Sequence, residues 1–226
     1  VTLTNKELSE MIRRDLGMTD KQVVEEAYVA LPKHYELPTE FLSRKSKDAH
    51  FELYEEETEL LARVSAEIDA VDLKTQVRKY HVLKAEEVSL LNSVYMHELH
   101  FANISDVVSE VTVDSLSYMR LARDFGSFEK WQYDFVAAAT GHGSGWAVTA
   151  YSTFLRRYVN FFVRDHDSSV LLGCYPVVVL DVHEHAYYRD YLSDRRAYVY
   201  AMMKELNWSV IEERVSRADK ISEVLR

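Results

Sequence analysis

Cysteine is almost missing from this chain. Cys174 stands alone, which excludes an intramolecular disulfide framework and suits a reducing compartment such as the cytoplasm. Long apolar runs are missing too. No stretch approaches the roughly 18–20 residues of a membrane-spanning helix, and Val1-Thr2-Leu3-Thr4 has neither the basic nor the apolar region of a signal peptide. Basic residues are in deficit: 27 Lys+Arg against 37 Asp+Glu leave a formal net charge of −10. That balance argues against a nucleic-acid surface as the main function. No internal repeat or low-complexity segment interrupts the chain.

Apolar and aromatic residues are plentiful. Hydrophobic residues make up 47 % of 226, with 15 Tyr, 9 Phe and 3 Trp. This is enough to fill the core of one large domain or of two small ones that share it. Thr4-x-x-Glu7 and Thr19-x-x-Gln22 fit capping boxes, so residues 1–30 read as a helical extension of two short helices. A long helix is expected from Ser43, with Leu42, His50, Leu53, Tyr54, Leu60, Leu61 and Val64 on one side. The acidic run Glu55, Glu56, Glu57 and Glu59 reads as a mostly solvated face. A second long helix is expected over about 74–101, with an apolar stripe of Val77, Val82, Leu83, Val88, Leu91, Val94 and Tyr95. A short turn between the two predicts an antiparallel hairpin.

The second half reads differently. Helices over 114–125 and 127–140 meet at Asp124-Phe125-Gly126-Ser127, with Ser127 as N-cap. The Gly-rich loop at 141–145 lacks the Lys-Ser/Thr of a P-loop and precedes a strand, so phosphate binding is not indicated. Strands are expected over 146–154, 156–163 and 171–182, followed by helices over about 193–206 and 209–223. The fold class is therefore α+β: a long antiparallel helical hairpin, then a three-stranded antiparallel sheet surrounded by helices. The expected divisions are 1–30 (extension), 31–112 (hairpin domain) and 113–226 (α/β C-terminal domain).

Chemistry concentrates after the apolar run Val177-Val178-Val179-Leu180. Asp181 and His185, four residues apart at the end of a buried strand, can turn toward one point and offer oxygen and nitrogen to iron, manganese or zinc. His97 and His100 form an i, i+3 pair able to chelate together. The spacing is not HExxH, so a zinc-protease site is excluded.

Four motifs in order resemble the iron/manganese superoxide dismutase family. Asp181-Val182-His183-Glu184-His185-Ala186-Tyr187-Tyr188 is similar to its DVWEHAYY. Asp124-Phe125-Gly126-Ser127-Phe128-Glu129-Lys130-Trp131 is similar to DFGSFEKF, Gly143-Ser144-Gly145-Trp146 to GSGW, and Leu206-Asn207-Trp208 to the late INW. The resemblance covers about residues 31–222. It implies dismutation of superoxide to O2 and H2O2 at one Fe or Mn ion per subunit, held by His50, His97, Asp181 and His185. The other reading is a dismutase-like structural or interaction protein with altered or lost activity, which the complete ligand set opposes.

The resemblance also implies supporting roles. Glu184 and Tyr188 match residues that cross a homodimer or homotetramer interface, Tyr188 toward the position of Tyr54 on the partner's first long helix. Arg195 matches an Arg near the pocket entrance, and Trp131 and Trp146 match apolar walls, with a plain core role equally open for both. Departures stand beside these matches. His183 replaces a Trp, Thr58 falls where a pocket-mouth Tyr is usual, and Tyr54 falls where a further His is usual, its phenol being the candidate to serve the site from a different angle. Ser93 occupies one of two positions that supply a solvent-bonding Gln. His166, in the turn before the last strand, is the candidate for that role.

Overall fold

The computed structural model describes residues 31–106, 108–141 and 143–224. The helices expected within 1–30 lie outside these residues, as does His142. Two long helices, α1 (Arg44–Asp69) and α2 (Val77–Asn103), form the expected hairpin. Ser43 caps α1, its hydroxyl accepting from the Ser46 amide. Helices α3 (Leu116–Phe125) and α4 (Phe128–Thr140) follow. Gly126 ends α3 with φ 88°, a left-handed conformation that glycine adopts without Cβ strain. The Ser127 hydroxyl caps α4 through the Lys130 amide, as its place in the sequence predicts.

The sheet has three antiparallel strands, β1 (Gly145–Ser152), β2 (Arg157–Arg164) and β3 (Cys174–Asp181), in the order β2-β1-β3. The central strand β1 is buried along its whole length. Its first turn of pairing places Trp146 opposite Val163 on β2 and opposite Asp181 on β3. Gly145 must be glycine here, because a Cβ would sit 2.0 Å from the Val163 carbonyl oxygen. The Gly145 carbonyl accepts from the Val182 amide at 2.9 Å, locking the exit of β3 against the entry of β1.

Three helices follow among the described residues: α5 (Glu184–Tyr191), α6 (Arg195–Lys204) and α7 (Trp208–Val224). Sequence reasoning misses α5, which starts directly at the end of β3 without a side-chain cap bond at His183. Arg214 of α7 is buried and ties the halves together. It donates to Asn103 Oδ1 at 3.0 Å, the Val177 carbonyl at 3.2 Å and the Leu99 carbonyl at 3.2 Å. A guanidinium can be buried here because three fixed acceptors replace water.

The expected stripe of α2 is corrected. Val77, Val82, Val88, Leu91 and Tyr95 are exposed, and only Leu83 and Val94 of that set are buried. The buried face instead carries Ser93, His97, His100 and Asn103 among Leu90, Met96, Leu99 and Phe101. Apolarity alone is a poor guide on a helix whose inner face mixes polar groups with apolar ones.

Candidate metal centre

Each half of the fold delivers two side chains to one point. His50 lies two turns into α1, His97 near the C-terminal end of α2, Asp181 at the last position of β3, and His185 in the first turn of α5. Asp181 Oδ2 is 3.0 Å from His50 Nε2, 2.9 Å from His185 Nε2 and 3.7 Å from His97 Nε2. All four ligand-type atoms lie within 4.8 Å of one another. Donors that share a metal at about 2.0–2.2 Å are roughly 3–4 Å apart, so these residues fit one ion.

A second observation supports the fit. His97 Nδ1 donates to the Ser93 carbonyl at 2.9 Å, which fixes the tautomer and leaves Nε2 as the lone pair. That Nε2 is buried and has no hydrogen-bond partner. An orphaned buried nitrogen aimed at a carboxylate and two other imidazoles is costly unless a cation satisfies it.

Charge follows from burial and proximity. Burial, with His50 close by, holds the His97 imidazole well below its usual value, and burial lowers that of His50 despite the Asp181 hydrogen bond. For Asp181, burial alone would raise the carboxyl. The neighbouring His185, with hydrogen bonds from His183, His185 and His50, overcomes it and holds Asp181 well below the carboxylate range. Burial alone would lower the His185 imidazole, but the Asp181 carboxylate overcomes it and raises it, so burial favours the neutral ring at His50 and His97 only.

Supporting groups lie around the four. Asp181 Oδ1 accepts from the His183 amide at 2.8 Å and lies 2.8 Å from His183 Nδ1. The Tyr198 hydroxyl donates to the Asp181 carbonyl at 2.8 Å. Trp146 packs edge-on against His97 with ring centroids 4.8 Å apart, and its Nε1 donates to His166 Nδ1 at 3.2 Å. His166 and His183 stack with ring centroids 4.9 Å apart, which places the turn residue beside the four.

Other expectations fare differently. Trp131 sits in the main core against Phe128, Phe135 and Trp208, with its indole N–H donating to Thr149, rather than walling the site. His100 does not chelate with His97. Its Nδ1 faces the Asp181 amide at 3.4 Å. Tyr54 is fully buried and borders His97, but its hydroxyl accepts from the Lys33 amide at 2.9 Å and donates to Glu98 at 3.1 Å. Thr58 is turned back on its own helix, bonding the Tyr54 carbonyl. Arg195 donates to the Tyr187 hydroxyl at 3.2 Å and the Gly141 carbonyl at 2.8 Å. Glu184, His185 and Tyr188, with Ala49 and Arg189, line an open cleft of about 420 Å³.

Glu57, expected with its acidic neighbours on a mostly solvated face, is instead turned inward. Its side chain is 18 % exposed and lies 3.5 Å from His97 Nδ1, while Glu55, Glu56 and Glu59 are exposed. Burial pushes its carboxyl up. The missed signal is spacing: seven residues after His50 is two helical turns, hence the same face of α1.

Comparison with known proteins agrees with the geometry. A family profile described as iron/manganese superoxide dismutases, C-terminal domain, matches residues 116–214. The chain is 36 % identical over 181 residues to a "Superoxide dismutase [Fe]" of Cupriavidus metallidurans, an alignment covering 78 % of this chain and 90 % of the relative. It is 32 % identical over 148 residues to a "Superoxide dismutase [Fe]" of Aquifex aeolicus, covering 66 % and 68 %. It is 36 % identical over 128 residues to "Superoxide dismutase [Mn] 2" of Haloferax volcanii, covering 57 % and 63 %. With two ligand-type side chains delivered by each half and this degree of likeness along the chain, it belongs to the iron/manganese superoxide dismutase family.

Proposed function

We propose that His50, His97 and His185, through Nε2, and Asp181, through Oδ2, hold the single Fe or Mn ion of this family, and that the chain works as an antioxidant homodimer in the cytoplasm. The enzyme is a superoxide dismutase, a metal-dependent oxidoreductase. The orphaned, buried Nε2 of His97 carries the ligand assignment. The convergence of all four donors speaks against the purely structural reading.

When bound, the ion supplies reversible one-electron redox chemistry, by which one superoxide is oxidised to O2 and a second is reduced to H2O2 with two protons. The residues supply the rest. Three neutral imidazoles and one carboxylate contribute one negative charge, which leaves a divalent or trivalent ion positive and attractive to an anion. His183 and Tyr198 fix Asp181 from the side away from its ligating oxygen. Trp146, fully buried, excludes water from one flank of His97. His166 accepts at Nδ1 from Trp146, so its proton sits on Nε2, and we assign that N–H as the donor toward small molecules at the centre. Tyr54 supports His97 through its ring, and Arg195 adds local positive charge at the Gly141–Tyr187 side.

The homodimer reading rests on exposure. His185 is 32 % exposed, and the cleft beside it is bounded by Glu184 and Tyr188. A second copy seated there would bury the open side of the centre. The cytoplasmic reading rests on the lone Cys174; no described helix is long and apolar enough to cross a membrane.

Elemental analysis of protein expressed with both metals supplied, paired with a dismutase assay, tests the proposal. About one equivalent of iron plus manganese is expected, with activity proportional to metal. Replacement of any of the four donors by Ala is expected to remove both. Less than about a tenth of an equivalent in the parent protein would sink the assignment.

A further inference from the structure

Glu57 projects from α1 across the hairpin to α2, where Ser93 and His97 stand one turn apart. The Ser93 hydroxyl donates to Glu57 Oε2 in a short hydrogen bond. The same carboxylate oxygen is 3.5 Å from His97 Nδ1, and Ser93 Oγ is 3.3 Å from it. His97 Nδ1 therefore faces three oxygens: the Ser93 carbonyl, the Ser93 hydroxyl and the Glu57 carboxylate. On its far side, Nε2 has no protein partner. Nothing about Glu55, Glu56 or Glu59 is comparable, since all three face solvent.

We propose that Glu57 is a positioning residue for the metal centre: it fixes the Ser93 hydroxyl and sets a negative charge beside His97 Nδ1, which orients the ring and makes Nε2 a stronger donor. The physical reason is polarisation. A carboxylate next to the N–H of an imidazole pushes electron density toward the other nitrogen and resists ring rotation. Stronger donation favours the more highly charged state of the metal. Glu57 thus lowers the potential of the centre and tightens it around the ion. This inference rests on the reading of His97 as a ligand.

The test uses the whole protein, stripped of metal and titrated with manganous ion at about pH 8. Glu57→Gln keeps an acceptor for Ser93 but removes the charge. Ser93→Ala removes the hydroxyl but keeps the charge. His97→Ala removes the donor itself. The expected result is manganous-ion affinity about 10-fold weaker in Glu57→Gln, a smaller loss in Ser93→Ala, and no binding in His97→Ala. The midpoint potential of the loaded Glu57→Gln protein should rise, while its metal-free form unfolds at the parent's temperature. Affinity within about twofold of the parent in Glu57→Gln, alongside lost binding in His97→Ala, would overturn the role of Glu57 alone. Equal destabilisation of the metal-free and loaded Glu57→Gln forms, with an unmoved potential, would also overturn it, as a structural contact only. Parent-like binding by His97→Ala would overturn the ligand reading, and the inference with it.

Discussion

His183 and Asp181 share an oxygen. Both the amide of His183 and its Nδ1 lie 2.8 Å from Asp181 Oδ1, so one residue supplies two contacts to one carboxylate oxygen. The other oxygen, Oδ2, is left to converge with the imidazoles. His183 is itself buried, held between Trp146 at 5.3 Å and the stacked rings of His166 and His185.

His183→Ala removes the side-chain contact and opens a space beside Asp181. Manganous-ion affinity is expected to fall about 10-fold or more. Folding stability of the metal-free protein should fall by about 2 kcal/mol, from a lost hydrogen bond to a charged group. Titration with manganous ion and urea unfolding measure the two. Affinity equal to the parent's would show that the amide alone positions Asp181.

His166→Ala leaves the Trp146 indole N–H without its acceptor and removes the Nε2 proton from the site. Activity is expected to fall at least about 10-fold, in line with the loss of a proton donor, and the metal-centred absorption should shift. Parent-like turnover and an unchanged spectrum together would remove His166 from the chemistry.

Glu184 and Tyr188 are exposed beside the cleft that reaches His185. Sedimentation of the parent protein is expected to give twice the chain mass. Glu184→Lys should shift it to a single chain and lower metal retention, because the open side of His185 is then uncovered. A parent protein that sediments as one chain while fully active would end the dimer reading.

His100 supplies a pH dependence. Burial pushes its imidazole down to about 3, from an unfolded value of about 6.5. Between those values the folded ring stays neutral while the unfolded chain binds a proton. The unfolded state then holds more protons, so stability falls as pH drops through that window, by about 1.4 kcal/mol per unit for this one group. His100→Gln should flatten the slope between about pH 6 and about pH 5 in urea unfolding of the metal-free protein. An identical slope in both proteins would mean that His100 is protonated in the fold.

Much of this architecture is legible in one dimension. The hairpin follows from two long helical periods and a short break, and Ser43 and Ser127 cap where hydroxyl-bearing residues precede helical periods. The Asp181–His185 pair follows from an apolar strand ending in two ligand types four residues apart. Local signals suffice because caps, turns and strand ends are set by the backbone's own unmet hydrogen bonds.

What the chain's order could not decide is which neighbours share a face once α1 and α2 pack. Glu57 looks like one more charge in an acidic run until α2 brings Ser93 and His97 against it. The apolar residues Val88, Leu91 and Tyr95 look like core until packing turns inward the face of α2 that carries Ser93, His97 and His100 among Leu90, Met96, Leu99 and Phe101. Hydrophobic pattern reports what burial ordinarily favours. A metal centre inverts that rule by making buried imidazole and carboxylate the stable choice, and only the tertiary structure reveals where the inversion occurs.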